Sequence, residues 1–255
     1  MKILAIGDVV GPAAIEYLAA RLWKMRDKFG LDMIAVNGEN ASIGNGLSRA
    51  DAEALLAAGA DVITTGNHVW QKFDLRDYLD DSPCIVRPAN YPSENPGSGS
   101  TVIDVAGRRV LVMNVAGVIY GEPLADPFDA VENMLKFNEG RYDVSVLDIH
   151  AETTSEKMAL ARYFDGRINV IWGTHTHVQT SDAQILPEGS AFITDLGMTG
   201  PKDSILGVKS ELIIRKLRTH MPVKFEVAGG EIRGEGAIFT LDENFRAVSV
   251  ETIRF

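Results

Sequence analysis

Two histidines stand one residue apart in Gly173-Thr174-His175-Thr176-His177-Val178, directly after the apolar run INVIW. The chain has five histidines, and four of them (His68, His150, His175 and His177) follow short apolar runs of this kind; only His220 does not. Carboxylates and amides occupy the same positions: Gly7-Asp8 after KILAI, Gly38-Glu39-Asn40 after DMIAVN, and Gly66-Asn67-His68 after DVITT. Imidazole nitrogens, carboxylates and amide oxygens are all metal donors. Residues i and i+2 of an extended segment face the same side, so His175 and His177 are expected to reach one cavity. There they would bind the same ion or two adjacent ones.

Each residue also has a plainer role. Asp8 could cap a following helix, Glu39-Asn40 could form a turn, Asn67-His68 could be a cap beside a core histidine, and His150 could be a satisfied buried imidazole. Their recurrence at successive run ends favours a metal site, because two neighbouring imidazoles in an apolar setting would otherwise need two buried partners. Nitrogen and oxygen donors without sulfur suit Mn, Fe, Zn or Ni better than Cu(I), and the histidines argue against a pure Mg or Ca cage. Asp8, Glu39, Asn40, Asn67, His150, His175 and His177 are more donors than one ion needs. Two ions sharing a bridging carboxylate are expected, at the ~3.5–4 Å spacing of dinuclear hydrolases. Two divalent ions against Asp8 and Glu39 leave the centre near about +2, which attracts phosphate.

The elements that must position these groups follow from the periodicity. KILAIG, DMIAVN, DVITT, VLVMNVA, VSVLDI and INVIW are short, rich in β-branched residues and bounded by Gly, Asp or Asn, as buried strands are. Helices are expected at 13–28, 48–58, 128–137 and 155–164, with Ser48 and Asp51 resembling a helix start. Alternating strands and helices imply a largely parallel sheet covered on both faces, with its site beyond the carboxyl edge. The segment 80–100 carries four prolines and reads as a surface loop. From 223 onward, apolar and polar residues alternate around Gly229-Gly230 and Asp242-Glu243-Asn244, which predicts antiparallel strands and a second sheet.

The totals exclude several classes. With 255 residues and no biased segment, one α/β domain over 1–255 is expected. Thirty-five acidic against 25 basic residues give a net charge of -10, which offers no basic stripe for duplex DNA. Cys84 is the single cysteine, so neither an intrachain disulfide nor a thiolate metal cluster forms. No apolar run approaches the ~18 residues of a membrane span, and the first strand begins at Lys2. A cytoplasmic setting with no membrane partner is expected.

Gly7-Asp8, Gly66-Asn67-His68, His150 and Gly173-Thr174-His175-Thr176-His177 resemble the calcineurin-like metallophosphoesterases over nearly the whole chain. Two positions depart from the broad pattern: Asp8-Val9-Val10 stands where Asp-x-His is usual, and Gly38-Glu39-Asn40 where Gly-Asp-x-x-Asp is usual. Those departures, with GDVVG, NGENA, TTGNHVW, HAETTSEK, GTHTHVQT and DLGMTG, are similar to the YmdB-like subgroup. The resemblance implies an α/β four-layer sandwich of two facing mixed sheets flanked by helices. It implies two divalent or mixed-valence ions, iron first, with Mn or Zn as alternatives. Carried onto matching positions, Asp8, Glu39, Asn40 and His177 would hold one ion and Glu39, Asn67, His150 and His175 the other. The expected reaction is hydrolysis of small phosphodiesters, foremost 2′,3′-cyclic nucleotides, by hydroxide attack with His68 as proton donor to the leaving oxygen. RNA ends and self-association remain open as partners. The alternatives are a regulatory RNA- or protein-binding protein that retains the metal site, and a metal-dependent amidase or esterase. Asp148, Glu152 and the Asp195–Gly200 turn are left as supporting positions at most.

Overall fold

The computed structural model describes all 255 residues. Its first six-stranded sheet has the spatial order β15 (Ala247–Arg254), β14 (Glu235–Leu241), β1 (Lys2–Ile6), β3 (Met33–Asn37), β4 (Val62–Thr64), β5 (Ile85–Val86). The second has the order β10 (Gln184–Ile185), β11 (Ala191–Ile193), β9 (Val170–Thr174), β8 (Val144–His150), β7 (Arg108–Ala116), β6 (Ser100–Val105). A small third sheet joins β13 (Ile232–Arg233), β12 (Met198–Pro201) and β2 (Asp8–Val9). The helices are α1 (Pro12–Ala19), α2 (Leu22–Phe29), α3 (Arg49–Ala57), α4 (Phe73–Leu79), α5 (Pro127–Phe137), α6 (Thr154–Tyr163) and α7 (Ser210–Thr219). None is long and apolar enough to cross a membrane.

Strand alternation explains the layering. In β1, Ile3 and Ala5 belong to a core shared with Val110, Val112, Val146, Val170 and Trp172 of the second sheet, so the two sheets face each other there. Leu4 and Ile6 point the other way, into a core built with Ala14, Leu18, Leu22 and Leu55 of α1, α2 and α3. On the far side, Leu111, Met113, Leu147, Ile149 and Ile171 pack against Val131 and Leu160 of α5 and α6. The result is helix, sheet, sheet, helix. Both sheets are mixed: β1, β3, β4 and β5 run parallel, as do β7, β8, β9 and β11, while β14, β15, β6 and β10 attach antiparallel. The four-layer α/β sandwich of the resemblance is the fold observed.

Several details differ from the periodic pattern. The helix expected at 13–28 is two helices, interrupted at Ala20–Arg21, where Arg21 sits at φ -128° and its guanidinium covers the Tyr17 ring at 3.6 Å. The bend keeps Leu22 and Met25 on the same core as Ile15 and Leu18. Ser48 caps α3 as expected, accepting from Asp51 N at 3.1 Å. Of the C-terminal strands only the short β13 lies in another sheet, the small third one, and the two long ones do not found a second sheet. Residues Glu235–Leu241 pair with β1 and extend the first sheet, covering the edge that β1 would otherwise leave unpaired. Nor is 80–100 wholly a surface loop, for Ile85, Val86, Arg87, Asn90 and Tyr91 are buried. The donors of Arg87 are satisfied in that setting by the carbonyls of Pro88, Pro92, Asn95 and Pro96.

Candidate metal centre

The carboxyl ends of β1, β3 and β4 in one sheet and of β8 and β9 in the other open onto a common rim. Asp8 starts β2 one residue beyond β1, paired with Met198. Glu39 and Asn40 follow β3, and Asn67 and His68 follow β4. His150 is the last residue of β8, and His175 and His177 lie just past β9. All eight positions expected from the sequence therefore meet at one place. Two sheets contribute because they face each other with their parallel strands ending on the same side.

His175 and His177 arrive differently from the i, i+2 expectation. Strand β9 stops at Thr174, and the two histidines have φ of 95° and 61°. Left-handed backbone at two non-glycine residues is strained and clusters at functional sites. The turn is held by Asp195, whose Oδ2 accepts from Thr176 N at 3.2 Å and from Thr176 Oγ1 at 2.7 Å. Asp195 also pairs with Lys157 Nζ at 2.7 Å, both side chains being out of contact with solvent. No local pattern marks Lys157 as part of this site; it reaches Asp195 from α6.

Around His150 Nε2 stand three donor atoms at 3.0 Å: Glu39 Oε2, Asn67 Oδ1 and His175 Nδ1. Beyond Glu39 lie Asp8 Oδ1 and His177 Nε2, 3.7 Å apart. Glu39, His150 and His175 form one group whose ligand atoms lie within 4.8 Å of one another, and Asp8, Glu39 and His177 form a second. Glu39 belongs to both. Asn40 turns its Nδ2 toward Glu39 Oε1 at 2.7 Å and His177 Nε2 at 3.2 Å, so an oxygen-ligand role requires its amide to rotate by half a turn. His68 Nδ1 contacts Glu39 Oε1 at 3.2 Å.

The surrounding hydrogen bonds orient these donors. Thr174 Oγ1 lies 2.9 Å from His150 Nδ1 and donates to Asp148 Oδ1 at 2.7 Å, so the Nδ1–H tautomer is favoured and the Nε2 lone pair faces the cluster. Asp148 is buried and also accepts from Asn37 and Thr64. Glu152 Oε2 holds His175 Nε2 at 3.0 Å, which leaves Nδ1 pointing inward. His177 Nδ1 bonds the Leu206 carbonyl at 3.0 Å, leaving Nε2 inward as well. Gly66 is required by close approach, since a Cβ there would strike the Glu39 carboxylate and the His150 ring.

The electrostatics are those of a cage awaiting positive charge. Burial pushes the Asp8 carboxyl up to about 6, against the pull of His177 and His150. Burial opposes ionisation of Glu39 too, but the charge and hydrogen bonds of His150 and His68 hold it well below its ordinary value. His150 is disfavoured as a cation by burial, yet Glu39 and then Asp8 outweigh this and raise it to about 9. Burial and the neighbouring His150 lower His175 to about 4. Asp8 Oδ1 is buried and has no hydrogen-bond partner. A buried carboxylate oxygen with no partner is unfavourable by itself, and so are Asn67 Oδ1 and His175 Nδ1 crowded onto a His150 Nε2 whose one proton is shared with Glu39. Divalent cations relieve both, so the residues fit the metals that the resemblance implies.

The geometry can be set beside known proteins. The sequence profile of YmdB-like proteins matches residues 4–253. The chain belongs to the YmdB-like family. It is 43% identical over 254 residues to the 2′,3′-cyclic-nucleotide 2′-phosphodiesterase of Bacillus subtilis, covering 99% of this chain and 96% of that protein. A crystal structure of a hypothetical protein from Thermus thermophilus superposes with a TM-score of 0.94 at 38% identity, over 100% of this chain and 99% of the other. A novel phosphatase from Mycoplasma pneumoniae superposes at 0.93 with 35% identity, over 100% and 93%. Membership of the YmdB-like family makes this chain a metallophosphoesterase whose donor cluster is suited to divalent metals.

Proposed function

We propose that this chain is a dinuclear phosphodiesterase of small phosphodiesters, foremost 2′,3′-cyclic nucleotides, with RNA ends bearing a terminal cyclic phosphate as larger substrates. The observation that carries the reading is the pair of donor groups sharing Glu39, with the buried and unpartnered Asp8 Oδ1 at their edge. The name of the Bacillus subtilis relative supports the substrate class. In this reading residues 1–255 act as one cytoplasmic domain. Asp8, Glu39, Asn40 and His177 hold one cation, and Glu39, Asn67, His150 and His175 the other. Iron, which the resemblance implies, is the first choice, with Mn or Zn as alternatives; nitrogen and oxygen donors without sulfur suit all three.

When bound, the cations supply a water acidified toward neutral pH and positive charge against the phosphate oxygens. The chain's own groups do the rest. Glu152, Thr174 and Asp148 keep His175 and His150 in the ligand tautomer. His68 is partly exposed at the mouth, with Nδ1 on Glu39 and Nε2 3.5 Å from Asn45. Nδ1 is held by Glu39, which leaves Nε2 to give a proton to the departing ribose oxygen. The water oxygen bonds to phosphorus, one P–O(ribose) bond breaks, and the strained five-membered ring opens.

The test combines metal analysis of the purified protein with turnover of 2′,3′-cyclic, 3′,5′-cyclic and linear phosphodiesters. Two metal ions per chain and a strong preference for the 2′,3′-cyclic diesters are expected. Silence across the panel with both ions loaded would overturn the enzymatic reading in favour of a regulatory protein.

A further inference from the structure

Beside the donor cluster lies a cavity of about 240 Å³. Asn67, His150 and His175 of the donor cluster line it, together with Tyr91, Ile119 and Tyr120. Ile119 and Tyr120 belong to the segment 117–125, which links β7 to α5 and is clamped at its base. Asn90 accepts from Ala116 N at 2.9 Å and donates to the carbonyls of Ala116 at 2.8 Å and Ala125 at 3.1 Å. Glu156 Oε1 accepts from Val118 N at 2.8 Å. A Cβ on Gly117 would collide with the Glu156 carboxylate and Ala151, so only glycine fits where the chain enters the loop.

At the loop tip Tyr120 has φ of 61° and is 90% exposed. A large aromatic residue in left-handed backbone, with no protein surface to rest on, carries strain that its own packing does not offset. Tyr91 is the opposite case. It is buried and fixed edge-on against Trp70, with ring centroids 5.4 Å apart at 84°. The cavity is lined by two carboxylates, Glu122 and Glu152, and by no lysine or arginine. Glu152 is already engaged by His175. Such a lining repels a second phosphate and accepts a neutral group with an apolar face.

We propose that this cavity is the nucleoside subsite: with the phosphodiester at the donor cluster, the base enters here and stacks on Tyr120 over the floor made by Tyr91. The assignment rests on the phosphodiesterase reading above and adds to it the part of the substrate that is not phosphate. The volume falls just below the ~300 Å³ at which pockets for drug-sized ligands begin, so it suits a single nucleoside. Stacking is tolerant of base identity, since every base has a π-face. The four bases therefore differ little from one another and greatly from a substrate without a base.

Two measurements on metal-loaded protein decide the matter. The first is the ratio of kcat/KM for adenosine 2′,3′-cyclic phosphate to that for methyl riboside 2′,3′-cyclic phosphate, which has the same ring and no base. The ratio is expected to exceed roughly tenfold in the unaltered chain, to fall about tenfold through KM in Tyr120→Ala, and to be retained in Tyr120→Phe. A ratio near one in the unaltered chain, or one untouched by Tyr120→Ala, overturns the subsite. The second is calorimetric binding of adenosine 3′-monophosphate against inorganic phosphate, which needs no turnover. Tighter binding of the nucleotide that is lost in Tyr120→Ala supports the subsite even if no phosphodiester is hydrolysed, an outcome that would sink only the enzymatic reading. Equal affinities for the two ligands overturn it.

Discussion

Glu39 meets His150 Nε2 through one carboxylate oxygen and His68 Nδ1 and Asn40 Nδ2 through the other. That division assigns different tasks to the two histidines beside it. His150 is out of contact with solvent and its ring is locked by Thr174, whereas His68 lies partly exposed at the mouth. Replacing His68 with Ala should lower kcat on the order of 100-fold or more while metal content, read by elemental analysis, stays unchanged. Loss of metal together with activity would refute the proton-donor role. Thr174→Val tests orientation instead. It removes the hydroxyl between His150 and Asp148 while nearly preserving shape, and should weaken metal binding by roughly 10- to 100-fold. Metal affinity equal to that of the unaltered chain would show that the tautomer of His150 is set by something else.

At the scale of elements, the turn after β9 is the least ordinary piece of the molecule. Two histidines in left-handed backbone are kept there by Asp195, and Asp195 is paired with Lys157 from α6. Removing one partner of a buried pair leaves an uncompensated charge, so Asp195→Asn should destabilise the protein by about 3–5 kcal/mol. For a chain of this size that corresponds to a fall in Tm of roughly 6–20 °C. Thermal unfolding checks it, and Asp195→Asn combined with Lys157→Met should recover part of the loss. An unchanged Tm in the single variant would mean that the pair does not brace the turn.

For the whole molecule, metal binding and protonation are one equilibrium. Without metal, His150 has its pKa raised to about 9, so it is protonated at neutral pH and must lose that proton to become a ligand. Loading metal at pH 7 should therefore release protons, which calorimetry in buffers of different ionisation enthalpy would count; no buffer dependence would contradict the assignment of His150. The stability of the metal-free chain has a matching sign. The His150 contribution is fully present below the ordinary value of 6.5 and is lost as pH rises through about 9. Asp8 acts in the same direction, since its raised value makes ionisation between 3.8 and about 6 unfavourable to the fold. Metal-free protein should melt at a lower temperature at pH 9 than at pH 6. Chelation should also lower Tm at fixed pH, because ions that bind only the folded chain stabilise it by about 4 kcal/mol at 1,000 times their Kd.

Much of this was legible along the chain. Donor residues at the ends of apolar runs named all eight side chains of the cluster, because in a parallel sheet each strand must end at the same rim and its last polar residue has nowhere else to go. The cap at Ser48 and the strand–helix alternation were local features and read correctly. Only the tertiary structure decided that Lys157 and Asp195 meet, that the histidine turn is left-handed, that the C-terminal strands complete the first sheet, and that Tyr120 lines a cavity shared with His150 and His175. Those facts depend on pairs far apart in sequence, and neither periodicity nor spacing records which distant surfaces will be pressed together when the two sheets close on their shared core.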